Sequence, residues 1–166
     1  MSTDFDAISD VLRKAFQVEV DGFTFYSMAV EAATKPTVRK LFERLARDET
    51  EHKAYILAVM KRYEEHGASS FQFDPRDPDL TEFSSQIFTD SFKEQAQGEV
   101  SEIGALSIGI QLETNAVTLF ETAAREASHP QIGGFYRFLA DWEGSHLRTL
   151  QHLYDSIRKD SWPTEG

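Results

Sequence analysis

The chain has 166 residues, a formal charge of −11, 40% hydrophobic residues and no cysteine. Length and apolar content suffice for one domain with a sizeable core. The lack of cysteine excludes disulfides, iron–sulfur clusters, thiolate zinc sites and thiol catalysis, and the acidic balance argues against nucleic acid or an anionic membrane as partner while favouring cations.

Met1 to Asp10 contain no basic segment leading into an apolar run, so no signal peptide is expected. No apolar stretch approaches the ~20 residues that span a bilayer, and a cytoplasmic location is the expectation. From Ile8 to Ala33 the apolar positions Ile8, Leu12, Ala15, Phe16, Phe23, Tyr26, Val30 and Ala33 recur at helical spacing, with Glu19 inside the stripe. A second helix is predicted from Pro36, a residue favoured in a first turn, to about Glu65, before Gly67. Its inward set is Val38, Leu41, Phe42, Leu45, Ile56 and Met60, and Glu49 and His52 fall among them.

Between about 67 and 98 the sequence reads as an irregular crossover, with a short amphipathic helix predicted around Thr81 to Gln95. A third helix is predicted from about Ser101 to Ala127 and a fourth from Pro130 to about Arg158. A helix of that length measures ~40 Å, and a ~32-residue connection can cross it at ~3.3 Å per extended residue. The expectation is therefore all-α: a single domain over residues 1–166, with helical hairpins at about 5–65 and 101–158 joined by one long crossover. That is the ferritin-like four-helix arrangement.

The two hairpins repeat one another at an offset of 94 residues. Glu19, Glu49 and His52 correspond to Glu113, Glu143 and His146, and Lys35-Pro36 corresponds to His129-Pro130. Laying 17–58 on 111–152 without a gap gives ten identities, which include Glu19, Pro36, Glu49 and His52 with their counterparts. The hairpins read as halves related by a pseudo-twofold axis.

A glutamate from each of two helices and a Glu-x-x-His from each of the other two is what di-iron and di-manganese bundle proteins use to hold two ions. Residues three apart on a helix project from one face, about 60° and ~4.5 Å apart, so Glu49 can converge with His52 and Glu143 with His146. Glu19 and Glu113 stand mid-helix, where they could bridge or terminate the ions. Four carboxylates balance two divalent cations, whereas without metal they repel one another in a low-dielectric interior. Oxygen and imidazole ligands suit iron or manganese, with zinc chemically feasible.

A third pair, Glu126 and His129, is set aside. It lies at a helix end and about 220° from the face of Glu113. His66 and His152 are expected to be exposed, Glu102 is left as a channel or end-of-bundle residue, and the other acidic positions are read as solvated faces. Tyr26 lies seven residues after Glu19 on the same face, where it either packs in the core or hydrogen-bonds a ligand carboxylate.

At Val18-Glu19-Val20-Asp21-Gly22-Phe23-Thr24-Phe25-Tyr26 and Leu45-Ala46-Arg47-Asp48-Glu49-Thr50-Glu51-His52 the chain resembles the rubrerythrin branch of the ferritin-like superfamily. The resemblance covers both hairpins. It implies that Glu19, Glu49, His52, Glu113, Glu143 and His146 bind two iron ions, that Tyr26 is the family's tyrosine beside the site, and that the bundle is a homodimer or larger. It also implies oxidoreductase chemistry with hydrogen peroxide or oxygen. Two departures stand out. Rubrerythrins proper carry a cysteine-ligated rubredoxin module, so here electrons would come from a separate donor protein or small reductant. They also place a further glutamate one turn after the third-helix ligand, where this chain has Ala116. The remaining six-residue set is more like that of bacterioferritin, but Thr50 stands where its haem methionine would be, so haem is not supported. Peroxide reduction is the first expectation and Fe(II) oxidation the second. Iron storage, di-iron hydroxylation and a metal-free helical interaction module are the alternatives.

Overall fold

The computed structural model describes residues 4–67, 100–128 and 130–161. These form four helices, α1 (Asp4–Ala32), α2 (Pro36–His66), α3 (Val100–Glu126) and α4 (Pro130–Ser161), with no strand among the described residues. The predicted helix at 81–95 lies outside them.

Local chemistry sets the boundaries of α2. Lys35 is extended (φ −91°, ψ 127°), the conformation that a following proline imposes, and Pro36 opens the helix without losing a hydrogen bond. At the other end Gly67 takes φ 74° and its N–H donates to the Tyr63 carbonyl at 2.9 Å. Only glycine adopts that left-handed geometry at little cost.

Each helix carries an apolar stripe interrupted once, near its middle, by the predicted polar residues. The stripes make two separate apolar clusters. One gathers Leu12, Ile56, Tyr63, Phe120, Phe135 and Leu139; the other gathers Tyr26, Leu41, Phe42, Leu45, Leu106 and Leu150. Along α1 and α4 the first cluster precedes the second, and along α2 and α3 the order reverses. The helices therefore run up, down, down, up. The end of α2 and the start of α3 lie at opposite ends of the bundle. This is an all-α ferritin-like bundle in which α1 packs on α2, α3 on α4, and α1 on α3.

Two expectations need correction. Phe23 was placed in the inward stripe of α1 but is 37% exposed, with the Lys53 ammonium 4.0 Å above its ring. The buried arc is centred on the Glu19 direction and leans toward Gly22; Phe23 lies about 40° to the other side, at its margin. Residues 103–126 of α3 are also long and apolar enough, by length and composition, to cross a bilayer. Only 28% of that apolar window is buried among the described residues, and the helix turns Glu113 inward and packs along α4.

Candidate metal centre

The polar layer between the two apolar clusters contains Glu19, Glu49, His52, Glu113, Glu143 and His146, each no more than 4% exposed. All six predicted residues converge there. They form two overlapping groups, Glu19–Glu49–His52–Glu143 and Glu49–Glu113–Glu143–His146, and within each group one ligand atom per residue lies within 4.8 Å of every other. Glu49 and Glu143 belong to both groups. The sequence left open which pair would bridge; the geometry makes Glu49 and Glu143 the shared carboxylates and Glu19 and Glu113 the outer ones.

The pseudo-twofold is visible in the distances. His52 Nδ1 lies 3.1 Å from Glu19 Oε2 and 3.5 Å from Glu143 Oε1. The related His146 Nδ1 lies 3.2 Å from Glu113 Oε1 and 3.3 Å from Glu49 Oε1. The imidazoles are near-parallel, with centroids 5.3 Å apart. Both present Nδ1 to the carboxylates.

Burial and mutual contact sort the protons. Burial, the charge of Glu143 and the proximity of Glu49 push Glu19 well above the usual carboxylate range, and burial and Glu143 push Glu113 the same way. Burial also raises Glu49 and Glu143. It is outweighed at Glu49 by hydrogen bonds from Glu19, His146 and His52, and at Glu143 by the hydrogen bond and charge of His52. Burial alone would lower His52, but hydrogen bonds to Glu143 and Glu49 raise it to about 9. His146 is likewise raised, by Glu113, Asp48 and Glu49. Without metal, the two imidazoles, Glu19 and Glu113 are thus biased toward their protonated forms, and Glu49 and Glu143 toward the carboxylate.

Tyr26 is fully buried and its hydroxyl donates to Glu113 Oε1 at 2.5 Å. It both packs and hydrogen-bonds, stacking on Phe42 in the second apolar cluster. Burial and the charge of Glu113 raise its pKa well above that of free tyrosine, so it remains a donor. His66, His152 and Glu126 are exposed, in line with their having no role in the cluster. His129 and the side chain of Glu102 lie outside the described residues.

Asp48 was read as a solvated acidic position and is instead 2% exposed. Its Oδ2 lies 3.4 Å from His146 Nε2, the nitrogen facing away from the carboxylates, and its Oδ1 accepts from Arg44 Nε at 2.9 Å. The i,i+4 spacing to Arg44 looks like a surface ion pair, which hid it. Trp142 carries no comparable signal in the sequence. Its ring stacks on His52 at 4.1 Å between centroids and 9° between planes.

Gly22 lets α1 approach Glu49 closely, because a Cβ there would lie 3.0 Å from both Cδ and Oε1 of that carboxylate. A cavity of about 230 Å³ reaches Glu49, Glu113 and Glu143 past Gly22, Ala116, Leu112 and Leu119. Ala116, where rubrerythrins place the extra glutamate, forms part of its wall. Gly22→Ala is expected to raise the stability of the metal-free protein by about 0.5–1 kcal/mol through helix propensity. It should lower metal affinity by displacing Glu49. Melting curves with and without Mn(II) would show the two effects with opposite sign.

The residues fit a metal pair. Glu19 Oε1 is buried without a hydrogen-bond partner, and Glu143 Oε1 has only the long 3.5 Å approach of His52 Nδ1, an arrangement that is costly unless something else occupies those lone pairs. The donors are carboxylate oxygens and imidazole nitrogens, which fit iron binding.

A ferritin-like bundle whose core is divided by a buried carboxylate–histidine cluster defines the class of protein. The family model for rubrerythrin matches residues 10–154, and the chain belongs to the rubrerythrin family over its ferritin-like di-iron domain. The 166 residues contain no cysteine, so none of them can form a rubredoxin-type iron site. Neither curated proteins nor solved structures give a significant match.

Proposed function

We propose that the cluster is a non-haem di-iron centre and that the protein is an oxidoreductase reducing hydrogen peroxide. The observation that carries this reading is the convergence of six buried ligand residues into two groups that share Glu49 and Glu143. Glu19 and His52 would complete one iron position, and Glu113 and His146 the other. Bound there as Fe(II), two ions would supply one electron each for the two-electron, two-proton reduction of peroxide to two waters. The chain provides the surroundings. The cavity past Gly22 and Ala116 has room for peroxide and reaches the carboxylates. Tyr26 holds a proton at Oη against Glu113, which makes it the catalytic tyrosine of this reading. The apolar clusters above and below keep bulk water from the carboxylates.

Electrons would come from a separate donor, and assembly as a homodimer is part of the same reading. Fe(II) oxidation by oxygen would use the same ligands. Stopped-flow mixing of the anaerobic di-Fe(II) protein with one equivalent of hydrogen peroxide tests the assignment. Oxidation much faster than with oxygen is expected; equal, slow rates with both oxidants would overturn it. A second reading, oxidation of a small organic substrate, is favoured by the aliphatic wall that Val18, Leu112, Ala116 and Leu119 give the cavity. It predicts oxygen uptake that depends on an added apolar compound.

A further inference from the structure

The ligands obey the 94-residue repeat, but the residues that contact them do not. Asp48 in the first half corresponds to Trp142 in the second, and Tyr26 corresponds to Phe120. Both polar members serve the same side of the cluster. Asp48 Oδ2 faces His146 Nε2 at 3.4 Å, and Tyr26 Oη donates to Glu113 Oε1 at 2.5 Å. Across the pseudo-twofold, His52 has the flat face of Trp142 against it, and the position related to Tyr26 carries no hydroxyl. Among the described residues, the ion pairs of His52 all run through Nδ1 and Glu19 Oε1 accepts no hydrogen bond, while Asp48 Oδ2 and His146 Nε2, also without a hydrogen bond, face each other as an ion-pair contact at 3.4 Å.

These differences have a direct consequence for metal binding. A carboxylate behind the distal nitrogen of a ligating histidine fixes its tautomer, orients the ring and makes it a stronger donor; removing such a partner typically weakens metal binding ~10–100-fold. A phenol hydrogen-bonded to a carboxylate holds that carboxylate in one orientation and so lowers the entropy lost on binding. Asp48 is itself steadied by Arg44. The pair Glu113 and His146 is therefore braced on two sides, by residues from α2 and α1. Glu19 and His52 have an aromatic stack, which restrains the ring plane but offers no acceptor to the distal nitrogen.

We propose that the two metal positions are unequal by design of the surrounding residues. The Glu113–His146 position fills first and holds its ion, and the Glu19–His52 position is the weaker, exchangeable one. Asp48 and Tyr26 are positioning residues for the tight site. This rests on the metal-centre reading above and assigns an order to it. Repulsion between two cations makes the second ion bind more weakly in any such pair, so two-phase binding is no evidence by itself. The location of the first ion is.

The test uses metal-free full-length protein given one equivalent of Co(II), crystallised, and mapped by anomalous scattering at the cobalt edge. Occupancy beside His146 is expected to exceed that beside His52 by about tenfold or more. In Asp48→Asn the ratio should move toward one while two equivalents still bind at saturation. Tyr26→Phe acts from a different helix and should move the ratio in the same direction, so a folding defect in either variant leaves the other decisive. Circular dichroism verifies the helix content of each. Equal occupancy in the unmodified protein, preference for the His52 side, or a ratio unchanged in both folded variants would overturn the inference while leaving the metal centre intact. Absence of cobalt at both positions under saturating metal would remove the metal-centre reading itself.

Discussion

Replacing Glu113 by alanine is expected to reduce metal stoichiometry from two ions to one while leaving a folded bundle. Glu113 belongs only to the group with His146, whereas Glu49 and Glu143 belong to both. Its loss leaves that position three ligands and the other position four. The fold should survive because the apolar clusters on either side of the polar layer do not include Glu113. Two opposing terms set the stability of the metal-free variant. Removal of a desolvated carboxyl is favourable, and stranding the buried Tyr26 hydroxyl costs about 1–3 kcal/mol. The larger effect appears with metal present: an ion at a free concentration of 100 times its Kd contributes about 2.7 kcal/mol, and the variant forfeits one such contribution. Elemental analysis and thermal melts with Mn(II) measure both quantities. Retention of two ions would show that Glu113 is not a ligand.

The second expected result concerns protons. In the metal-free cluster both histidines, Glu19 and Glu113 have raised pKa values, so each keeps its proton to higher pH than the free group does. Two divalent ions must displace these protons, so loading should release up to four protons, as metal binding to protonated ligands generally does. The sign for stability follows. His52 is raised from 6.5 to about 9, so its contribution is fully present below pH 6.5 and is lost as pH climbs through about 9. The amount is roughly 3 kcal/mol from this residue alone. Glu19, Glu113 and His146 shift the same way and add to the fall. Glu49 and Glu143 are lowered, so their contribution is present above the ordinary carboxylate pKa and is lost on acidification. The metal-free protein should thus be most stable at mildly acidic pH and lose melting temperature between pH 6.5 and 9. The metal-induced increase should grow over the same window. Calorimetric titrations in buffers of different ionisation enthalpy count the protons. A flat melting temperature across that range, or fewer than one proton released per ion, would contradict the charge pattern.

Much of this was legible in the sequence because it is encoded locally and then repeated. A glutamate inside an apolar stripe is informative on its own helix. A three-residue interval to histidine specifies a shared face, and the 94-residue repeat ties the two hairpins together without coordinates. The proline at 36 and the glycine at 67 mark helix ends for reasons internal to the backbone. The class of fold and the six converging residues followed from periodicity of that kind. Phe23 shows the limit: its place in the stripe is right to about 40°, and the remaining rotation is set by how α1 leans on its neighbours.

Tertiary structure alone decided what depends on which helix stands beside which face. That Glu49 and Glu143 are shared, while Glu19 and Glu113 are not, requires the relative rotation of four helices. Asp48 reads as half of an i,i+4 ion pair until α4 brings His146 against it. Trp142 reads as core until its ring is seen lying on His52. Spacing along one helix is a property of the chain, but a contact between helices depends on angles and distances that no single stretch of residues contains.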